Sequence, residues 1–142
     1  MTHCFSGEYL RVPTNADVES IVALHKAKHG VDGMFGGIDC MHILWKNCPK
    51  GYHGQYKQKE KTSIVLEAAC DYNLWFWHAS FGYPGTLNHI NILNLSPLVD
   101  CFHDGSFEML EKTVVPYNLN GKSFHQLFLL ADGIYPCWSR FV

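Results

Sequence analysis

Ile38-Asp39-Cys40-Met41-His42-Ile43-Leu44-Trp45 is an apolar run broken by a carboxylate, and it follows a glycine-rich approach, Gly33-Met34-Phe35-Gly36-Gly37. A short apolar run bounded by glycines reads as a β-strand. A carboxylate inside such a strand is costly unless it is paired, protonated or bound to metal, which makes Asp39 the first candidate functional residue. A second lies far along the chain. Gln126 to Ala131 is the most strongly apolar segment, reads as a buried strand, and ends at Asp132-Gly133-Ile134-Tyr135-Pro136. Two carboxylates brought together on adjacent strands would form an oxygen-ligand site suited to Mg²⁺ or Mn²⁺. The competing reading is that each Asp only caps a strand or turns the chain, as Asp-Gly pairs commonly do.

Working outward, a helix is predicted from Asn15 to His29. Thr14 and Asp17 fit a capping box, Val18, Ile21, Val22 and His25 share one face, and Gly30 is a natural stop. After the Asp39 strand comes a polar loop from Lys46 to Lys61. Strands are predicted over Ser63–Cys70 and Leu74–Phe81, joined as a hairpin by the turn residues Asp71-Tyr72-Asn73. Asn88 is placed to cap a short helix through Leu95, which Pro97 ends. Asp100 to Gly121 reads as irregular, with a short helix near Phe107 to Lys112. Alternation along its strand puts Glu67 on the open face of the sheet. His42, His78 and His89 could serve as ligands or bases, and His78 is read as a hydrogen-bonded structural residue.

Composition bounds the function classes. The chain has 142 residues, 47% of them hydrophobic and 17% charged, enough to bury the core of one domain. Its longest apolar run, Leu127 to Ala131, falls far short of the ~20 residues a membrane helix needs. Met1-Thr2-His3-Cys4 begins no basic-then-apolar signal, so secretion is not expected. The six cysteines have irregular spacing and read as reduced, buried thiols. Cys40, His42 and Cys48 are the nearest approach to a zinc set but lack ligand-pair spacing. Formal net charge is −2, which excludes a uniformly basic DNA binder. The charge is uneven, however. Lys46, Lys50, Lys57, Lys59 and Lys61 face Glu60 alone within one loop, interleaved with Tyr52, His53 and Tyr56. Such a loop either contacts a phosphate backbone or is simply solvated.

At these residues the sequence resembles a known family. Gly37-Ile38-Asp39-Cys40-Met41-His42 followed by Trp45-Lys46-Asn47-Cys48-Pro49 is similar to the first catalytic-strand motif of the PIF/Harbinger transposases, DDE-type endonucleases, in their plant-transposon-protein branch. Ile64-Val65-Leu66-Glu67-Ala68, Leu74-Trp75-Phe76-Trp77-His78-Ala79 through Gly82, and Leu130-Ala131-Asp132-Gly133-Ile134-Tyr135-Pro136 agree in order. Glu8-Tyr9-Leu10-Arg11 with Pro13-Thr14 resembles the lead-in, so the resemblance covers the chain from about Glu8 onward.

The resemblance implies an α/β, RNase H-like fold, incomplete here: a mixed sheet with three antiparallel strands first, then a helix and a fourth strand. Residues 1–30 would be a lead-in with one helix and 31–142 a partial catalytic core. It implies Asp39 and Asp132 as catalytic and metal-binding residues, a two-metal Mg²⁺ or Mn²⁺ site, hydrolysis and strand transfer on DNA, a Myb-like partner protein and a nuclear location. Two departures stand out. The family pattern Asn-Asp-Ile-Asn is Asn88-His89-Ile90-Asn91 here, and the family's third acid, a Glu on a later helix, has no counterpart. The expectation is therefore a transposase-derived core without nuclease activity. The alternative is a domesticated, non-enzymatic module that binds DNA or protein on the same fold. With no fifth strand, Gln126 to Ala131 is expected to be an open sheet edge that self-associates.

Overall fold

The computed structural model describes residues 11–58, 60–112, 116–119, 121–136 and 138–142. Cys4, Lys59, Cys137 and the lead-in from Glu8 to Leu10 lie outside them. Helix α1 (Asn15–His29) forms as its caps dictate: Thr14 and Asp17 make a reciprocal capping box, and Gly30 ends the helix at φ 69°. Arg11 grips Asp17 through two bonds of 2.6 and 2.9 Å. Together with the Thr14 hydroxyl it holds the Asp17 carboxyl well below the usual carboxylate range.

Strand β1 (Met34–Leu44) starts four residues before the expected Ile38, because the glycine approach is itself strand. Gly36 permits a close approach of two backbones. A Cβ there would overlap the Cys70 carbonyl oxygen and lie 2.9 Å from its carbon. The lysine loop is more ordered than expected. It holds a 3₁₀ turn (Lys50–Tyr52), the one-turn helix α2 (His53–Tyr56) and a short strand β2 (Lys57–Gln58). β3 (Lys61–Cys70) and β4 (Phe76–Pro84) form the expected hairpin. β4 begins later than predicted because Leu74 adopts φ 63° to close the turn. Asp71 pins that turn, accepting the N–H groups of Asn73 and Trp75 and the Trp77 indole N–H.

Next come α3 (His89–Leu93), α4 (Pro97–His103) and α5 (Ser106–Glu111). Pro97 opens a helix as well as following one. Ser96 caps α4 by accepting the Leu98 N–H, and proline at the first helical position loses no bond. α5 is the short helix expected near Phe107 to Lys112, while the rest of the segment read as irregular also holds the end of α4 and the strand β5 (Tyr117–Leu119), which pairs with β6 (Lys122–Phe124) just beyond it. β7 (Phe128–Leu130) completes the main sheet.

The architecture is mixed α/β. The main sheet runs β4-β3-β1-β7, with β2 paired to the start of β3. β1, β3 and β4 are antiparallel, and β7 lies parallel to β1. α1, α4 and α5 cover one face, where Val18, Ile21, Phe35, Ile38, Leu98, Phe107, Leu127 and Leu129 form the main core. The other face exposes Met41, Ile43, Phe76, Phe81 and Leu130. The edge of β7 is not open as expected. Leu129 N–H donates to Arg140 O, Val142 N–H to Leu129 O and Ala131 N–H to Val142 O. The last residues of the chain thus take the ladder positions that self-association at that edge would need. Among the described residues, no helix is long and apolar enough to cross a membrane.

His25 carries a measurable consequence of this packing. It is 3% exposed, neither ring nitrogen has a hydrogen-bond partner among the described residues, and His29 and Tyr72 pack against it. Burial first, then the neighbouring His29, push its pKa down, against a smaller opposing pull from Asp71. The unfolded chain therefore binds the proton more readily. Stability from this group is complete above the ordinary histidine pKa of about 6.5 and falls as pH drops, by at most about 1.4 kcal/mol per pH unit. Urea midpoints at pH 7.5 and 5.0 should show a loss in the wild type that is smaller in His25→Leu.

Candidate metal centre

Parallel pairing of β1 with β7 sets Gly37 opposite Leu130. Two residues further along each chain stand Asp39 and Asp132, at the same end of the sheet. α3 brings a third group. Asn88 caps that helix by accepting the Asn91 N–H, and Ile92 and Leu93, both fully buried, anchor it. His89, at its first position, then faces the two carboxylates. One donor atom each from Asp39, His89 and Asp132 lies within 4.8 Å of the others.

The carboxylates are oriented by the backbone. Asp39 Oδ1 accepts the Cys40 N–H at 2.7 Å, and Asp132 Oδ1 accepts the Ile134 N–H at 3.0 Å. Asp132 Oδ2 lies 3.8 Å from His89 Nδ1, beyond hydrogen-bond length. Tyr135 packs its ring 5.9 Å from that of His89, while its hydroxyl meets the Cys40 thiol at 3.4 Å. Burial pushes both groups up, the Tyr135 phenol strongly and the Cys40 thiol despite its bond to Tyr135. Both therefore stay protonated at neutral pH and serve as packing beneath the site rather than as nucleophiles.

The burial argument that singled out the two aspartates does not hold. Asp39 is exposed and the Asp132 side chain is 46% exposed. What brings them together is strand register. On the open face, a groove lined by Met41, Leu66, Phe76 and Leu130 leads to the pair.

Glu67 also departs from expectation. It is fully buried on the helix-covered face. Its Oε2 meets His78 Nε2 at 2.9 Å and accepts the Ser96 hydroxyl, which lies 3.2 Å from the same His78 nitrogen. Alternation misled because the more apolar set, Ile64, Leu66, Ala68 and Cys70, faces the open side, whereas Ser63, Val65, Glu67 and Ala69 face the helices. His78 is hydrogen-bonded, as the sequence suggested. Ser96 gave no sequence signal beyond its place before Pro97. The residues resemble a hydrolase triad in type but not in geometry: acid and hydroxyl crowd the same ring nitrogen instead of opposite ones.

Cys40, Cys48, Cys70 and Cys101 are free thiols. Cys40, His42 and Cys48 are not gathered as ligands: His42 Nδ1 meets Ser63 Oγ, and the Cys48 thiol donates to the Pro49 carbonyl. Lys46, Lys50, Lys57 and Lys61 are exposed. Among them Trp45, Tyr52 and Tyr56 form a mutual cluster, with ring centroids 5.2–6.2 Å apart.

A family model described as plant transposon protein matches residues 7–142. The chain belongs to the plant transposon protein family. No curated protein and no solved structure matches it. The match covers every element of this plant transposon protein described above, including β1, α3 and the β7 turn that carry the three clustered side chains.

Removing the buried acid tests the role of the inner network. Glu67→Ala would leave His78 and Ser96 without their shared acceptor and should cost about 2–3 kcal/mol in urea unfolding.

Proposed function

We propose that this plant transposon protein is a transposase-derived, PIF/Harbinger-type DDE core on an RNase H-like sheet, whose Asp39 and Asp132 hold Mg²⁺ or Mn²⁺ for phosphodiester chemistry. The observation that carries the reading is the register of β1 and β7, which sets two partly free carboxylates side by side at one sheet end. The donor set suits a divalent ion. Each carboxylate has one oxygen tied to a backbone N–H, and His89 Nδ1 is buried without a hydrogen-bond partner among the described residues. When bound, divalent metal activates the attacking water or 3′-hydroxyl and stabilises the leaving oxygen. The protein's own part is to fix the carboxylates by register and to hold the DNA.

DNA contact is assigned to the basic loop, with Lys46, Lys50, Lys57 and Lys61 on phosphates and Lys59, outside the described residues, placed with them by sequence. Trp45 follows Asp39 by six residues, so along an extended strand the loop stands about 20 Å from the carboxylates. That distance suits a strand that lies across the loop and ends at the metal site. Tyr52, 53% exposed, offers a ring face on which an unpaired base can stack. A nuclear location and a Myb-like partner accompany this reading.

Among the described residues the cluster holds two carboxylates and an imidazole, so a two-metal clamp lacks its third acid. Cleavage by this chain is expected to be very weak, whereas metal and DNA binding persist. Mn²⁺ titration calorimetry should show at least about a tenfold loss of affinity in Asp39→Asn and in Asp132→Asn, since losing even an outer partner of a ligand costs about that much; unchanged binding would reject the site. Fluorescence anisotropy with DNA across a salt series should give a log–log slope near −3.6 if the four described lysines each meet a phosphate. Each Lys→Gln change should flatten it by about 0.9. Metal-dependent plasmid nicking separates the enzyme from a domesticated binding module on the same fold, which would bind DNA without nicking it.

A further inference from the structure

We infer that His89 is a metal ligand, and that the Asp39–His89–Asp132 set selects transition-metal ions such as Mn²⁺ and Zn²⁺ over Mg²⁺. The inference rests on the proposed metal role of Asp39 and Asp132 and goes beyond it by making the third donor a nitrogen.

Three observations support a ligand rather than a structural histidine. His89 Nδ1 is buried yet has no hydrogen-bond partner among the described residues. A histidine held only by Asp132 would close to hydrogen-bond length, but the pair stands at 3.8 Å. That separation is close to what two donors need around a shared ion, since ligands with bonds of ~2.1 Å sit about 3 Å apart in cis. A small rotation of the exposed carboxylates supplies the remainder.

The surroundings fix the imidazole and leave the carboxylates to adjust. α3 is anchored by Ile92 and Leu93, and the Tyr135 ring packs against His89. Tyr135 belongs to the turn that follows Asp132 and bonds to Cys40, which follows Asp39. Neighbours of all three ligands therefore touch one another, the kind of outer shell that orients a metal site. Mg²⁺ demands hard oxygen ligands and dehydrates reluctantly, whereas imidazole suits Mn²⁺ less than Zn²⁺ but both better than Mg²⁺. The chemistry of the donors thus favours the softer ions.

The test uses MgCl₂, MnCl₂ and ZnCl₂ with the full chain. Calorimetry should show Mn²⁺ and Zn²⁺ binding at least about tenfold tighter than Mg²⁺. Electron spin-echo spectra of the Mn²⁺-loaded wild type should carry ¹⁴N modulation from a coordinated imidazole, a readout that needs no variant to fold. In His89→Asp that modulation should vanish and the preference over Mg²⁺ should narrow several-fold, with circular dichroism confirming the fold. His89→Asn, a weaker ligand of similar size, should lose the modulation too. Mn²⁺ binding that depends on Asp39 but shows no ¹⁴N modulation, with the ion ratio unchanged in His89→Asp, would overturn the role of His89 and leave the aspartate pair standing. Failure of any ion to bind the wild type, or binding unchanged in Asp39→Asn, would overturn the aspartate reading and this inference together.

Discussion

The parallel pairing of β1 with β7 is the constraint on which the rest of the molecule depends. Its two strands lie about 90 residues apart in the chain, so their union closes the long loop that contains every other strand and helix except α1. That closure is stabilised by apolar burial from both partners: Phe35 and Ile38 from β1 meet Leu127 and Leu129 at the β7 end, with α1 and α4 packed over them. A slip of one residue in this pairing would turn Asp39 and Asp132 to different faces. The same burial that holds the fold thereby sets the geometry of the site.

The two faces of the sheet divide the work. The helix-covered face carries the main core and also takes in a polar cluster, Glu67 with His78 and Ser96, and the Asp71 turn that ties β3 to β4. Glu67 joins β3 to His78 of β4 and to the Ser96 cap of α4, and Asp71 closes the hairpin turn. The open face carries an apolar surface that runs to the carboxylates. A site at the rim of such a face is reached from solvent without any opening of the core.

The basic loop combines a small aromatic cluster of its own with ties to the sheet. Trp45, Tyr52 and Tyr56 pack on each other, while the Thr62 hydroxyl donates to the Trp45 carbonyl at 2.7 Å and the Thr86 hydroxyl to the Gln55 carbonyl at 2.6 Å, so the loop is held both by its own rings and by ties to the β3–β4 region. Lys46, Lys50, Lys57 and Lys61 are exposed in the same loop. Positive charge is thus concentrated in one loop of a chain whose net charge is −2.

Much of this was legible in the sequence. The capping box of α1, the β3–β4 hairpin, the cap at Asn88 and the apolar β7 run are local features, and local chemistry determines them: side chains satisfy nearby backbone groups, and apolar periodicity sets which face is buried. The ordered motifs around Asp39 and Asp132 singled out the pair, although the burial reason first attached to them did not hold. What the sequence did not decide was which face of β3 is covered and which distant segments become neighbours. Glu67 went to the buried side because α4 supplies Ser96 there, against the stronger apolar pattern on the other side. The β7 edge is paired because Arg140–Val142 folds back along it, a contact invisible to periodicity in so short a segment. His89 stood out as one of three possible ligands or bases and as a departure from a motif, but its place beside two carboxylates depends on how α3 is anchored over the sheet by Ile92 and Leu93. Propensity acts within a few residues, whereas face, register and edge are settled by packing between segments distant in the chain.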